Sequence, residues 1–183
     1  SWSVLDDAVL RWEEAGARSV MFHLVPSSSW GVQDSRPIAE GVFGLNCEAV
    51  PGDCEDMPAN PTEERWGDWE AWVTALCERY DGDGVDDIDG LQHAHLEFQL
   101  LNEAQNLGFY VGTSEDYLEL LQHTQAALDA CNPDAALIHY GLTFNGLSHG
   151  GVSDAELWQR VEQMVVAQQT EYYQVGYLHA FSM

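Results

Sequence analysis

The run Phe98-Gln-Leu-Leu-Asn-Glu103 is mostly apolar until its last two residues, where an amide and a carboxyl stand side by side. A carboxyl group at the end of a buried strand, partly desolvated among aromatic side chains, has its pKa raised toward the range a general acid needs. Glu103 is therefore the first candidate for proton transfer, with Asn102 beside it. A second cluster is the loop Asp81-Gly-Asp83-Gly-Val-Asp86-Asp87-Ile-Asp89-Gly90, whose hard oxygen ligands at short spacing suit Ca²⁺. Asp81, Asp83 and Asp87 are its candidate ligands, but Val85 stands at the fifth position of an EF-hand pattern and no glutamate follows at the twelfth. A solvated turn is the simpler reading, and no cofactor is expected beyond this candidate structural calcium. His93, His95 and Glu97 alternate along one strand direction and offer another set of metal ligands, although toward the start of that strand. GxSxG, GxGxxG and HExxH are absent, so serine-hydrolase, dinucleotide and zincin chemistry lack support. All six cations are arginine, which removes Schiff-base, P-loop-lysine and lysine general-base chemistry.

Positioning these groups takes an alternation of helices and strands. Residues 3–15 predict an amphipathic helix with Leu5, Ala8, Val9, Trp12 and Ala15 on its apolar face and Gly16 as its stop. Ser19–Val25 is a short apolar strand, followed by a long loop over 26–64 that reads as a substrate-facing excursion. Trp69, Trp72, Val73, Leu76 and Tyr80 fall at helical spacing, and His95–Asn102 forms the next strand. Thr113 or Ser114 caps a helix whose core face is Tyr117, Leu120, Leu121, Thr124 and Leu128, ending at Asn132-Pro133. Ala136–Gly141 is a third strand. Ser153-Asp-Ala-Glu156 is a capping box that opens a helix with Leu157, Val161, Met164 and Val165 inward. Tyr173–Phe181 is a fourth strand. The order α-β-α-β-α-β-α-β predicts an α/β fold with parallel strands. Alternation along the second strand places Glu97, Gln99, Leu101 and Glu103 on one side, with Glu103 at the C-terminal end where α/β barrels build their active sites.

Composition sets the outer bounds. With 31 acidic residues against six arginines the net charge is −25, which argues against nucleic acid and anionic membranes as partners. No apolar run reaches 18 residues, so no transmembrane helix is expected. Hydrophobic residues at 45% and seven tryptophans argue for a packed core despite that charge. Among the three connectivities of Cys47, Cys54, Cys77 and Cys131, the pairs 47–54 and 77–131 are favoured, because the first brackets a short loop and the second joins two helix ends. Four buried free thiols in a cytosolic protein is the alternative.

The stretch from Trp69 to Gly141 resembles the clan A glycoside hydrolases, (β/α)8 barrels with an Asn-Glu at the end of the fourth strand. The resemblance rests on the helix WEAWVTALCERYDGDG, the strand FQLLNE, the segment FYVGTSEDYLELLQHTQAALDACNPDA and the strand ALIHYG. Upstream, VMFHLVPSSSWG is similar to the third strand with an aromatic at its mouth, and VGYLHAF to the sixth with its histidine. The specific combination is Asn102-Glu103 with the helix entry Gly112–Tyr117. The resemblance implies a (β/α)8 TIM barrel present in part, as strands three to six with their helices, in a single catalytic-type domain over 1–183 that is incomplete at both ends. It further implies a secreted, retaining glycosidase acting on β-linked glycans or glycosides. Glu103 would be the acid/base, Asn102 would bind the sugar 2-hydroxyl, and Trp30 and His179 would line the sugar subsites. The nucleophilic glutamate would lie outside this chain. Two alternatives stand beside it: a non-catalytic carbohydrate-binding or scaffold protein with a barrel groove, and an acidic Ca²⁺-dependent structural module.

Overall fold

A computed structural model of the chain describes residues 2–55, 57–104, 107–143, 159 and 175–179. Helix α1 (Trp2–Glu14) leads to strand β1 (Met21–Leu24). Two short helices, α2 (Arg36–Phe43) and α3 (Pro51–Glu55), follow before a 3-10 turn at Glu63–Arg65 opens α4 (Trp66–Glu78). Strand β2 (Glu97–Leu100), helix α5 (Ser114–Cys131) and strands β3 (Ala136–Thr143) and β4 (Val175–His179) complete the order. The helix read from the capping box at Ser153–Glu156 lies, apart from Gln159, outside the described residues.

The strands form one parallel sheet in the order β1-β2-β3-β4. Phe22 is in register with Phe98 and Phe98 with Leu137, while His23 is in register with Gln99 and Gln99 with Ile138. Alternation therefore gives the sheet two different faces. Phe22, Leu24, Phe98, Leu100 and Leu137 join the core with Val9 of α1, Trp69, Val73 and Leu76 of α4, and Tyr117, Leu120 and Leu121 of α5. The other face carries Met21, His23 and Glu97, each partly open to solvent, and Gln99, which is buried. Among the described residues the sheet is open, with β1 and β4 as its two edges. This corrects the expectation of a (β/α)8 TIM barrel. Closure needs about eight strands of matched tilt and stagger, and helix–strand alternation in the sequence reports parallel pairing without reporting closure.

Helices α4 and α5 pack along each other through named contacts. The Trp69 indole N–H donates to Thr124 Oγ1 at 3.1 Å, Thr74 Oγ1 donates to the Ala127 carbonyl at 3.2 Å, and the Trp66 ring stacks on His123 with centroids 4.1 Å apart. Thr113 caps α5 in a full capping box with Asp116, whose carboxylate accepts the Thr113 N–H at 2.7 Å. Cys77 in the last turn of α4 is bonded to Cys131 at the end of α5, and Cys47 to Cys54.

Two further readings are corrected. The region 26–64 is no plain loop, because it holds α2 and α3. Pro37 sits in the first turn of α2, and Gly44 ends it at φ +63°, its N–H donating to the Ala39 carbonyl. Helix α1 buries only part of the expected apolar face: Val9 joins the core and Leu5 packs against it, while Trp12 is exposed and Glu13 is buried. It also has polar anchors. Asp6 accepts two hydrogen bonds from Arg79, at 2.6 and 2.7 Å, and one from the Tyr80 hydroxyl at 2.7 Å. Glu13 accepts the backbone N–H groups of Gln92 and His93. No helix among the described residues is long and apolar enough to cross a membrane.

Candidate functional site

The C-terminal end of β2 is a built corner. β2 itself stops at Leu100, and the Leu101 N–H donates to the Leu24 carbonyl at 2.9 Å, fastening the exit to the end of β1. Leu101 and Glu103 then adopt φ of +59° and +46°, a left-handed conformation that costs a non-glycine residue about 1–3 kcal/mol and gathers at functional sites. What holds it is burial on both sides, since Leu101 and Ala104 are fully enclosed. The Gln99 side-chain amide donates to the Leu101 carbonyl at 3.0 Å, and His23 hydrogen-bonds the same residue's backbone. Burial lowers the His23 pKa, partly offset by that bond, which favours the neutral ring. Asn102 sits half-buried in the corner, and Glu103 is only 7% exposed.

Strand alternation therefore does not extend to Glu103. The left-handed residue at 101 breaks the pleat, so placing Glu97, Gln99, Leu101 and Glu103 on one side is corrected: Glu97 is exposed while Leu101 is fully buried. Because all four strands are parallel, the β2 corner, the segment after β1 that carries Trp30, and His179 at the end of β4 share one edge of the sheet. His179 is in register with Thr143, and its side chain is outside the described residues.

Trp30 lines a cleft of about 310 Å³ with Val25, Pro26, Arg65, Asp68, Trp69 and Trp72 among its walls. The Arg65 guanidinium lies 5.3 Å from the Trp30 ring centroid and pairs with Asp68 at 2.8 Å. Neither Asn102 nor Glu103 lines this cleft, so the described structure does not bring Trp30 and the acid into one pocket.

The metal candidates separate cleanly. His95 is fully buried, its Nδ1 accepting the Val20 N–H at 3.2 Å and its Nε2 3.2 Å from Glu13 Oε1. Its ring is enclosed and its Nδ1 is taken by Val20, and β2 begins only at Glu97. The set His93, His95 and Glu97 is thereby dismissed, and His95 is an anchor for α1. Asp81, Asp83 and Asp87 do converge, with a carboxylate oxygen of each within 4.8 Å of the others, close enough for one divalent ion with oxygen ligands. The same carboxylates also fold the loop. Asp87 accepts the N–H groups of Gly82 and Gly84, Asp83 accepts that of Val85, and Asp81 accepts the Asn132 amide.

Sequence reasoning missed three residues that shape this edge. Gln99 and His23, which grip the corner, left one signal, as polar side chains within apolar strands. Asn60 left none. It is buried where the excursion returns, its amide donating to the Asp116 carbonyl at 2.8 Å while its Oδ1 accepts the Tyr110 hydroxyl at 2.5 Å.

No family model matches this sequence, and no curated protein matches it. Among solved structures, a glucosidase from Croceicoccus marinus is similar over 97% of this chain and 29% of its own, with a TM-score of 0.58 at 14% identity. This chain thus spans less than a third of that enzyme's length, and at this identity the likeness is one of fold.

Proposed function

We propose that this chain forms part of the catalytic domain of a secreted glycoside hydrolase that cleaves β-linked glycans or glycosides with retention of configuration, with Glu103 as its acid/base. The observation that carries the reading is the β2 corner: a glutamate 7% exposed at the C-terminal end of a parallel strand, held in left-handed backbone directly after an asparagine. The fold likeness to a glucosidase supports it, as does the Asn-Glu pair on which the clan A resemblance rests. Two disulfides suit an oxidising compartment.

In this reading Glu103 protonates the leaving-group oxygen in the first half-reaction and takes a proton from water in the second. The Asn102 amide holds the 2-hydroxyl beside the scissile bond, and Trp30 and His179 contact the sugar. Retention requires a second carboxylate about 5–5.5 Å from the first. We assign it to sequence beyond this chain, which spans 29% of the glucosidase it resembles in fold.

Glu103→Gln in the whole enzyme tests the assignment. Hydrolysis of alkyl β-glycosides, whose leaving groups need a proton, is expected to fall about 10²–10⁴-fold. The first step on dinitrophenyl glycosides, whose leaving group needs none, is expected to survive. Parent-like rates on both substrate types remove Glu103 from the reaction.

A further inference from the structure

We propose that ionic strength tunes the stability of this fold at one joint. There the C-terminal ends of α4 and α5 and the turn after α4 bring like charges together, and dissolved monovalent salt holds them in place by screening. The proposal is independent of Glu103 and of the glycosidase reading.

The distribution of charge along the chain sets up the joint. The described ion pairs of arginine, Arg36–Asp34, Arg65–Asp68 and Arg79–Asp6, all lie before residue 80. Between Arg79 and Arg160 the sequence holds fourteen carboxylates and neither lysine nor arginine. Carboxylates of that stretch bond neutral donors. Asp81 accepts the Asn132 amide, Asp87 the N–H groups of Gly82 and Gly84, and Asp129 the Gln125 amide. Such bonds satisfy the oxygens and leave each negative charge in place.

Two helix ends add to that field. Cys77 and Cys131 are bonded with their Cα atoms 6.2 Å apart, so the C-terminal ends of α4 and α5 lie side by side. Neither helix has a basic residue in its last turn. Glu78 and Asp129 stand there instead, at the negative end of each macrodipole. Asp81 ties the turn after α4 to the same place through Asn132, and its carboxylate lies within 4.8 Å of those of Asp83 and Asp87. Burial, and then the charges of Asp81, Asp83, Asp86 and Asp87, raise the Glu78 pKa. A compact fold concentrates this repulsion relative to the unfolded chain, and mobile ions weaken it wherever the charges meet solvent. Glu78 is half-buried and Asp83, Asp86 and Asp129 are exposed, so ions reach all four.

The test is the urea midpoint of the 183-residue chain at neutral pH, measured as NaCl rises from about 0.01 M to about 1 M. Over that range the Debye length falls from about 30 Å to about 3 Å. The midpoint is expected to rise by about 0.5 M urea or more, and equally in KCl. The triple variant Glu78→Gln, Asp83→Asn and Asp129→Asn is expected to start from a higher midpoint at low salt and to lose roughly half of the rise. A control triple variant with the same change of charge away from the joint, Glu14→Gln, Glu40→Gln and Glu48→Gln, is expected to keep most of it. None of the six side chains is buried, so both variants are expected to fold. Three results overturn the proposal. They are a midpoint that stays level or falls as NaCl rises, an equal loss of the rise in the two variants, or full stabilisation at low salt by about 1 mM CaCl2, which would assign the joint to a bound divalent ion.

Discussion

Two parts of the molecule reach order by different routes. The α4–α5 pair lies on the sheet, continuous with a core of large side chains such as Phe98, Leu120 and Leu121, and crosslinked at its far end by Cys77–Cys131. Among the described residues, the excursion between β1 and α4 has a separate cluster of Ala39, Cys47 and Cys54, with Leu45 and Met57 against it. It is closed by Cys47–Cys54, by the Ser35 hydroxyl on the Cys54 carbonyl, and by the Val32–Pro61 bridge and Asn60 where it returns. The difference teaches that burial holds the first region and local crosslinks hold the second. The described cluster, two cysteines and an alanine with Leu45 and Met57 half-buried against them, is small beside the core under the sheet, so the local crosslinks carry more of the order there.

Removing the crosslinks one at a time gives the largest expected effect. The Cys77–Cys131 link spans 54 residues and the Cys47–Cys54 link seven. On the chain-entropy model the first contributes about 4 kcal/mol and the second about 2.5 kcal/mol. Replacing Cys77 and Cys131 by alanine should lower the urea midpoint of the whole chain. Replacing Cys47 and Cys54 should chiefly expose 31–57 to proteolysis while the near-ultraviolet signal of the core tryptophans persists. Equal global losses from both would break the distinction and make the excursion part of one cooperative unit.

Which parts are legible in the sequence follows the same division. Tyr117, Leu120, Leu121, Thr124 and Leu128 are all buried on α5, because a long helix on a core imposes a 3.6-residue period. Helices α2 and α3 have eight and five residues, too few for a period, with Pro37, Gly41 and Pro51 reading as breakers. On α1 hydrophobicity is right for Val9 and Leu5 but not for Trp12, which is exposed, and it gives no sign of the contacts that run through Asp6 and Glu13. Closure of the sheet has no local signature at all, since each β-α unit looks alike in an open sheet and in a barrel. Nor has the corner after β2, where Gln99, His23 and the end of β1 hold the backbone of Leu101.

The next effect probes the core's polar anchor. Burial lowers the His95 pKa below its ordinary 6.5, against the opposing pull of Glu13. Between the folded value and 6.5 the unfolded chain carries a proton that the folded chain does not, so this contribution is complete above about pH 6.5 and is lost as the pH falls through that window. His23, also lowered by burial, acts with the same sign. His95→Gln should cost about 1–3 kcal/mol at neutral pH by disturbing the Val20 and Glu13 contacts. It should also flatten the fall in urea midpoint between about pH 7.5 and 5.5. An unchanged slope in the variant would show that α1 is held by its apolar residues and by Asp6 alone, which would bring it closer to the excursion in kind.

The smallest effect lies within the excursion and comes as a pair of opposite signs. Gly44 ends α2 at φ +63°, where a side chain is strained even though nothing lies within 4 Å of the added Cβ. Gly41, inside the same helix and equally open, carries no such backbone demand. Gly44→Ala should therefore destabilise by about 1 kcal/mol, while Gly41→Ala should stabilise by about 0.5–1 kcal/mol through helix propensity. If the excursion opens independently, both changes should alter its proteolysis rate and leave the global urea midpoint in place. Shifts of the global midpoint by those amounts would instead mean that α2 unfolds only with the sheet, and that the Asn60 junction transmits the stability that the small cluster lacks.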